Sequence, residues 1–253
     1  MTEEKKSKRS SKRWLLILIA LLPVAILVGR NIVSGSTIGY FRVVDLADLF
    51  ILAPIYLFIL LYLWFRMLKH NAPRWLLVLF IVFGFVFMYG HAIHFTGNSL
   101  HTYITEVNDL ESAMPPDVFN MIFYLDEIFS HQVLFVGITG LIIAWLLYDQ
   151  LVEAPPLLPD RLLLIVPLGL LYGAVMADSL IEARSLYLAI PILLAIGGVW
   201  AWLWRRSGMS FQQFLRSRPF TTLAAVILLG TVVYLVTWGL AFGGFPQPSE
   251  VGL

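Results

Sequence analysis

The chain has 253 residues, of which 59% are hydrophobic and 13% charged, with a mean hydropathy of +0.83 and a formal net charge of +1. That composition exceeds what a soluble domain needs to fill its core, so a water-soluble globular protein is excluded, and the basic N-terminal tail is expected to meet anionic lipid and fix orientation, with no nucleic-acid partner. There is no cysteine, which removes disulfides, thiolate metal sites, iron–sulfur clusters and cysteine nucleophiles.

Taken in order, residues 1–13 form a basic tail with Lys5, Lys6, Lys8, Arg9, Lys12 and Arg13. The apolar run 14–28 follows and ends in Gly29-Arg30 without a small-x-small cleavage site, so it reads as a retained first helix. Further runs at about 46–68, 75–101, 117–148, 162–182, 186–205 and 220–243 are each near the ~20 residues an α-helix needs to cross a bilayer. A β-barrel would alternate polar and apolar residues, and these runs do not. The reading is an all-α, polytopic membrane domain of seven helices over 14–243, followed by a short tail at 244–253.

Charge placement tests the helix count. With the N-terminus cytoplasmic, the inner segments collect the six tail residues with Arg66, Lys69, Arg74, Arg161, Arg205, Arg206, Arg216 and Arg218, leaving Arg30, Arg42 and Arg184 outside. Seven spans with an extracytoplasmic C-terminus follow, in a cell (inner) membrane. Pro155, Pro156 and Pro159 break the chain between the fourth and fifth runs. The acidic 105–116 connection is long enough to act as a lid.

Three of the five histidines stand in the stretch Tyr89 to His101. At about 100° per residue, His91, His94, Asn98 and His101 occupy one helical face. Counted from the cytoplasmic end of each run, His91 lies 16 residues out, His131 lies 17 and Asp178 lies 16, all about 25 Å from the inner boundary. His94, Glu127 and Glu182 come about one turn further out. Glu127 and His131 are i, i+4, as are Asp178 and Glu182, so each pair shares a face. Asp126 reads as pointing about 100° away from Glu127, toward Ser130, and it is set with His101, Asp45 and Asp48 as a helix-holding or solvated group.

Buried ionisable groups are costly in a membrane and usually face a functional interior. Imidazole and carboxylate suit zinc, iron, manganese or copper. The ligand set expected is His91, His94 and His131, with Asp178 as metal ligand or orienting acceptor. Glu127 and Glu182 serve as fourth ligand or general base, and Asn98 polarises the substrate oxygen. The number of ligands also allows two metals. The function expected is a membrane-embedded, metal-dependent enzyme, most simply a zinc hydrolase of a lipid or lipid-linked amide or ester reaching it from the outer leaflet. Arg42 or Arg184 could hold the lipid phosphate or carboxylate. A haem or di-iron redox protein and a metal or proton transporter or assembly factor are the other readings.

In helix count and in carrying intramembrane histidines and an aspartate, the chain resembles the superfamily of alkaline ceramidases, progestin-and-adipoQ receptors and haemolysin-III-like proteins, which are zinc-dependent amide hydrolases. That superfamily carries a His-x-x-x-His pair on its seventh helix. The seventh run here, Phe220 to Gly243, has no histidine, so the resemblance covers architecture and residue types and no residue role carries over. The same run has no lysine for a retinal Schiff base, and the chain has neither a phosphate-binding G-x-x-x-x-G-K-[ST] loop nor a G-x-S-x-G elbow.

Overall fold

The structure is a computed structural model that describes residues 37–39, 41–107, 110–151 and 159–251. The basic tail, the first apolar run at 14–28 and Arg30 lie outside the described residues. A two-residue hairpin, β1 (Thr37–Ile38) against β2 (Phe41–Arg42), leads into α1 (Val43–Ala47). A π-helical turn, Asp48–Leu52, joins α1 to α2 (Ala53–Lys69). Next come α3 (Arg74–Thr102), α4 (Pro116–Phe123), α5 (Ser130–Leu151), α6 (Pro159–Glu182), α7 (Ala189–Ser207), the short α8 (Phe211–Ser217) and α9 (Pro219–Phe242). A second π-helical turn extends α3 over Tyr103–Val107, and a third, Tyr124–Phe129, makes α4 and α5 one continuous span.

Local chemistry explains most of the ends. Pro54, Pro116 and Pro219 sit in first turns, where their missing N–H costs nothing. Gly208 and Gly243, at φ 64°, end α7 and α9 in the left-handed region that a Cβ disfavours. Ser210 and Gln213 form a reciprocal capping box on α8.

Among the described residues, six helices are long and apolar enough to cross a membrane: Val43–Lys69, Arg74–Thr105, Pro116–Leu151, Ile165–Glu182, Leu186–Ser207 and Pro219–Phe242. Their outward faces are hydrocarbon: Phe58, Phe85 and Leu240 are 74%, 73% and 81% exposed. A soluble monomer does not display apolar surface on that scale, and the all-α bundle has the helix lengths and outer surface of a multi-pass membrane protein.

Without a hydrophobic drive between helices in lipid, close packing has to come from small residues. Two pairs do this, the antiparallel α3–α5 and the parallel α6–α9. A Cβ at Gly90 would stand 2.7 Å from the Leu134 nitrogen, and one at Gly97 would stand 2.9 Å from the Asp126 Cα. Gly137 and Gly140 of α5 in turn receive Phe87 and Phe83 of α3. In the second pair, Gly169 and Gly173 of α6 accept Val226 and the Ile227 backbone of α9, and Gly230 of α9 accepts the backbone of Leu170.

The core falls into two clusters that share α5. Its Leu141, Ala144 and Tyr148 pack with Leu63, Met67, Leu76 and Phe80, while Phe135, Ile142 and Leu146 pack with Leu180, Ile196 and Phe214. At the end that carries Arg66, Lys69, Arg205 and Arg206, the buried Asp149 accepts hydrogen bonds from the Thr221 backbone N–H and Oγ1–H, both at 3.0 Å. This caps α9 with an anion at the positive end of its dipole. At the opposite end, Arg184 binds Glu250 at 3.1 Å and the Gln247 side-chain oxygen, and Trp238 donates to the Pro246 carbonyl. The segment after α9 is thereby fastened across the tip of α6.

Candidate functional site

The face of α3 that meets α5 is spaced alternately by four and three residues: Phe83, Phe87, Gly90, His94, Gly97 and His101. Glycines let the backbones touch, and the two histidines sit between them on the same seam. On the opposite strand of the seam the helix is π-wound over Tyr124–Phe129. An i→i+5 turn spaces residues by roughly 80° instead of 100°, and such bulges recur at functional sites. Asp126, with its backbone against Gly97, is turned into the interface and is 0% exposed.

A buried carboxylate costs several kcal/mol unless it is partnered. Asp126 Oδ2 lies 2.9 Å from His101 Nδ1, and Oδ1 lies 3.4 Å from His94 Nδ1. An ionised carboxylate only accepts, so the His101 proton belongs on Nδ1 and its Nε2 carries a lone pair directed elsewhere, while His94 at 3.4 Å is in electrostatic contact. That is the arrangement in which a carboxylate orients a metal-binding imidazole. The His131 ring stands 4.6 Å from the His94 ring, centroid to centroid, and its Nδ1 is 3.4 Å from Ser130 Oγ. Ser130 Oγ–H in turn donates to the Asp126 carbonyl. His101, Asp126 and Glu127 each offer a donor atom within 4.8 Å of the other two.

Glu182, half-buried at the end of α6, is within electrostatic reach of Glu127. Its carbonyl accepts a hydrogen bond from the Gln247 amide. Phe119 and Phe123 meet the His101 ring edge-on at 5.7 Å. Phe119 is also a wall of an open depression of about 410 Å³ lined by Glu111, Ser112, Met114, Pro116 and Asn120.

The other residues expected at the site are placed elsewhere. His91 is one position off the seam and packs edge-on to Tyr56 of α2 at 5.5 Å, stacked on Phe87. Asn98, seven residues further on, shares that direction: its amide donates to Asp45 Oδ1 at 2.8 Å and its oxygen accepts from Arg42 at 3.0 Å. Arg42 also pairs with Asp45 at 3.3 Å, so the three tie β2 and α1 to α3. Asp178 accepts from the Tyr234 hydroxyl at 2.7 Å, facing α9. Arg184 is held by Gln247 and Glu250. The structure therefore splits the polar face of α3 in two, His91 and Asn98 toward α1 and α2, His94 and His101 toward the α4–α5 span.

Asp126, which the helical wheel turned away, and His101, which was set aside as a helix-holding or solvated group, are the members missing from the expected ligand set. The heptad spacing of Gly90 and Gly97 is the signal that could have found them, because it marks the face on which His94 and His101 also fall. Comparison with known protein families, with curated proteins and with solved structures found no match.

Proposed function

We propose that this chain is a multi-pass protein of the cell (inner) membrane, N-terminus cytoplasmic and C-terminus extracytoplasmic, and a metal-dependent hydrolase of a lipid or lipid-linked amide or ester. The observation that supports it best is the fully buried Asp126, with an imidazole Nδ1 at each oxygen and Glu127 and His131 beside it. The uneven distribution of lysine and arginine supports that orientation, in which this cluster lies in the outer part of the bilayer.

His101, Asp126 and Glu127, with His94 and His131 beside them, would supply the nitrogen and oxygen donors that a zinc ion takes. A divalent cation held there brings the ionisation of a bound water to near neutral pH. Glu182 is the general base: it takes the water proton, hydroxide adds to the acyl carbon, and the C–N or C–O bond breaks. The departing amine or alcohol recovers the proton from Glu182, leaving a carboxylic acid. A membrane lipid reaches the cluster from the outer leaflet along the Phe119 side, where the open depression offers Ser112, Asn120 and Glu111 to a polar headgroup.

The test is elemental analysis and an absorption spectrum of the detergent-purified protein prepared without chelators, with release of fatty acid from amide- and ester-linked lipids measured in parallel. Stoichiometric zinc is expected, lost in His94→Ala and His131→Ala and retained in His91→Ala. Zero metal after add-back overturns the metal reading, a Soret band replaces zinc by haem, and a full complement of zinc without hydrolysis of any lipid overturns the reaction.

A further inference from the structure

We infer that the lipid this site takes carries a primary ammonium in its headgroup, of the aminoethyl phosphate kind, bound by Glu111, Ser112 and Asn120 in the depression beside α4. This rests on the lipid-hydrolase reading above and names the class of its substrate. The depression, about 410 Å³ in volume, is lined by these three residues with Met114, Pro116 and Phe119. Small-molecule sites typically measure about 300–1,000 Å³.

Hydrogen-bond chemistry selects the group. A primary ammonium donates three N–H groups and accepts none. The lining offers acceptors in return: the Glu111 carboxylate, the Asn120 side-chain carbonyl and the Ser112 hydroxyl oxygen. A trimethylammonium has no N–H to give and is held instead by a cage of aromatic faces. Among the described residues of the lining, Phe119 alone is aromatic.

Charge points the same way. The stretch 105–117 carries Glu106, Asp109, Glu111 and Asp117 and no lysine or arginine. Arg42 is tied to Asp45 and Asn98, and Arg184 to Glu250 and Gln247, so both outer arginines of the described residues are engaged elsewhere. The positive end of the α4 dipole would favour an anion, but Asp117 in its first turn sets a negative charge against it. The rim therefore draws a cation and repels a headgroup of net negative charge.

The walls favour a lipid over a free amine. Phe119 and Phe123, four residues apart on one face of α4, both meet the His101 ring at 5.7 Å and carry the apolar wall inward to the cluster. From Asn120 to Asp126 is six residues, about 9 Å of rise. The glycerophosphate linker of an extended lipid spans such a distance, so an ammonium in the depression leaves the acyl carbonyl near the cluster.

The test is native mass spectrometry of the full-length protein in neutral detergent, titrated with phosphatidylethanolamine, phosphatidylcholine and phosphatidylglycerol of identical acyl chains, with fatty-acid release read on the same three lipids. Phosphatidylethanolamine is expected to bind about 3–10-fold more tightly than the other two and to be hydrolysed fastest. Glu111→Gln levels the three affinities, and Glu111→Lys shifts the preference to phosphatidylglycerol. Equal affinities in the wild type, or a preference for the anionic lipid, overturn this inference and leave the hydrolase reading standing. Displacement of the bound lipid by soluble phosphoethanolamine at equal concentration makes the free amine the ligand and overturns the lipid assignment. The expected preference with no release from any lipid overturns the hydrolase reading and leaves an amine-headgroup site.

Discussion

Replacing Gly97 by alanine adds one methyl group at the point where α3 touches the π-helical turn. The new Cβ would stand 2.9 Å from the Asp126 Cα and 3.0 Å from its nitrogen, both backbone atoms that cannot rotate away. Ordinary Cβ contacts begin near 3.4 Å, so the two helices have to part by about half an ångström. Moved by that amount, the His101–Asp126 contact of 2.9 Å stretches past the usual hydrogen-bond range. Overpacking of this kind costs about 1–3 kcal/mol, and disturbing the group that orients a ligand typically lowers metal affinity by about 10–100-fold. Gly84→Ala is the matched control on the same helix: its nearest neighbour is the tip of Leu60 at 3.9 Å, and alanine there gains up to about 1 kcal/mol of helix propensity. Thermal denaturation in detergent together with metal titration reads both effects. A Gly97→Ala protein as stable as Gly84→Ala, with unchanged metal affinity, would refute the close approach and the positioning built on it.

Tyr234→Phe removes the hydroxyl that Asp178 accepts, and is expected to lower stability by about 1–2 kcal/mol while leaving metal content unchanged; loss of metal would return Asp178 to the ligand set. Asp149→Ala strips the cap from α9 and leaves the Thr221 N–H and hydroxyl without their acceptor, a loss of about 1–3 kcal/mol in an unfolding titration, and no loss would mean water replaces the carboxylate. Arg184→Ala breaks a pair whose members are 60% and 49% exposed, so its effect stays below about 1 kcal/mol. A larger drop in melting temperature would show that the segment after α9 is held there by more than that pair.

The helices were legible because hydrocarbon thickness dictates their length: the six described spans lie within a few residues of apolar runs visible in the sequence. Depth was legible to within one turn. Counting placed His91 level with His131, whereas the structure sets His94 beside His131; measured from the observed helix ends, Arg74 and Leu151, both are 20 residues in. The error lay in the end assigned to α5, since Tyr148 is not its last residue. Asp126 was misdirected for a different reason. A 100° wheel holds only for an α-helix, and the π turn over Tyr124–Phe129 rotates this carboxylate into the seam. Asp178 was grouped with the histidines by its equal depth, but Gly169 and Gly173 commit α6 to α9. The Arg42–Asp45–Asn98 network joins residues more than 50 positions apart through hydrogen bonds, which no local pattern announces.

The two glycine seams differ in what they ask of biogenesis. The α3–α5 seam joins consecutive spans and can close once Leu151 has been delivered to the membrane, so the histidines and Asp126 can meet while the rest of the chain is still being made. The α6–α9 seam must wait for two further spans, and until Pro219–Phe242 arrives the helix bearing Asp178 and Glu182 has its glycine face turned to lipid or to the insertion machinery. The order of synthesis thus lets the α3–α5 seam close first and leaves the α6–α9 seam for last.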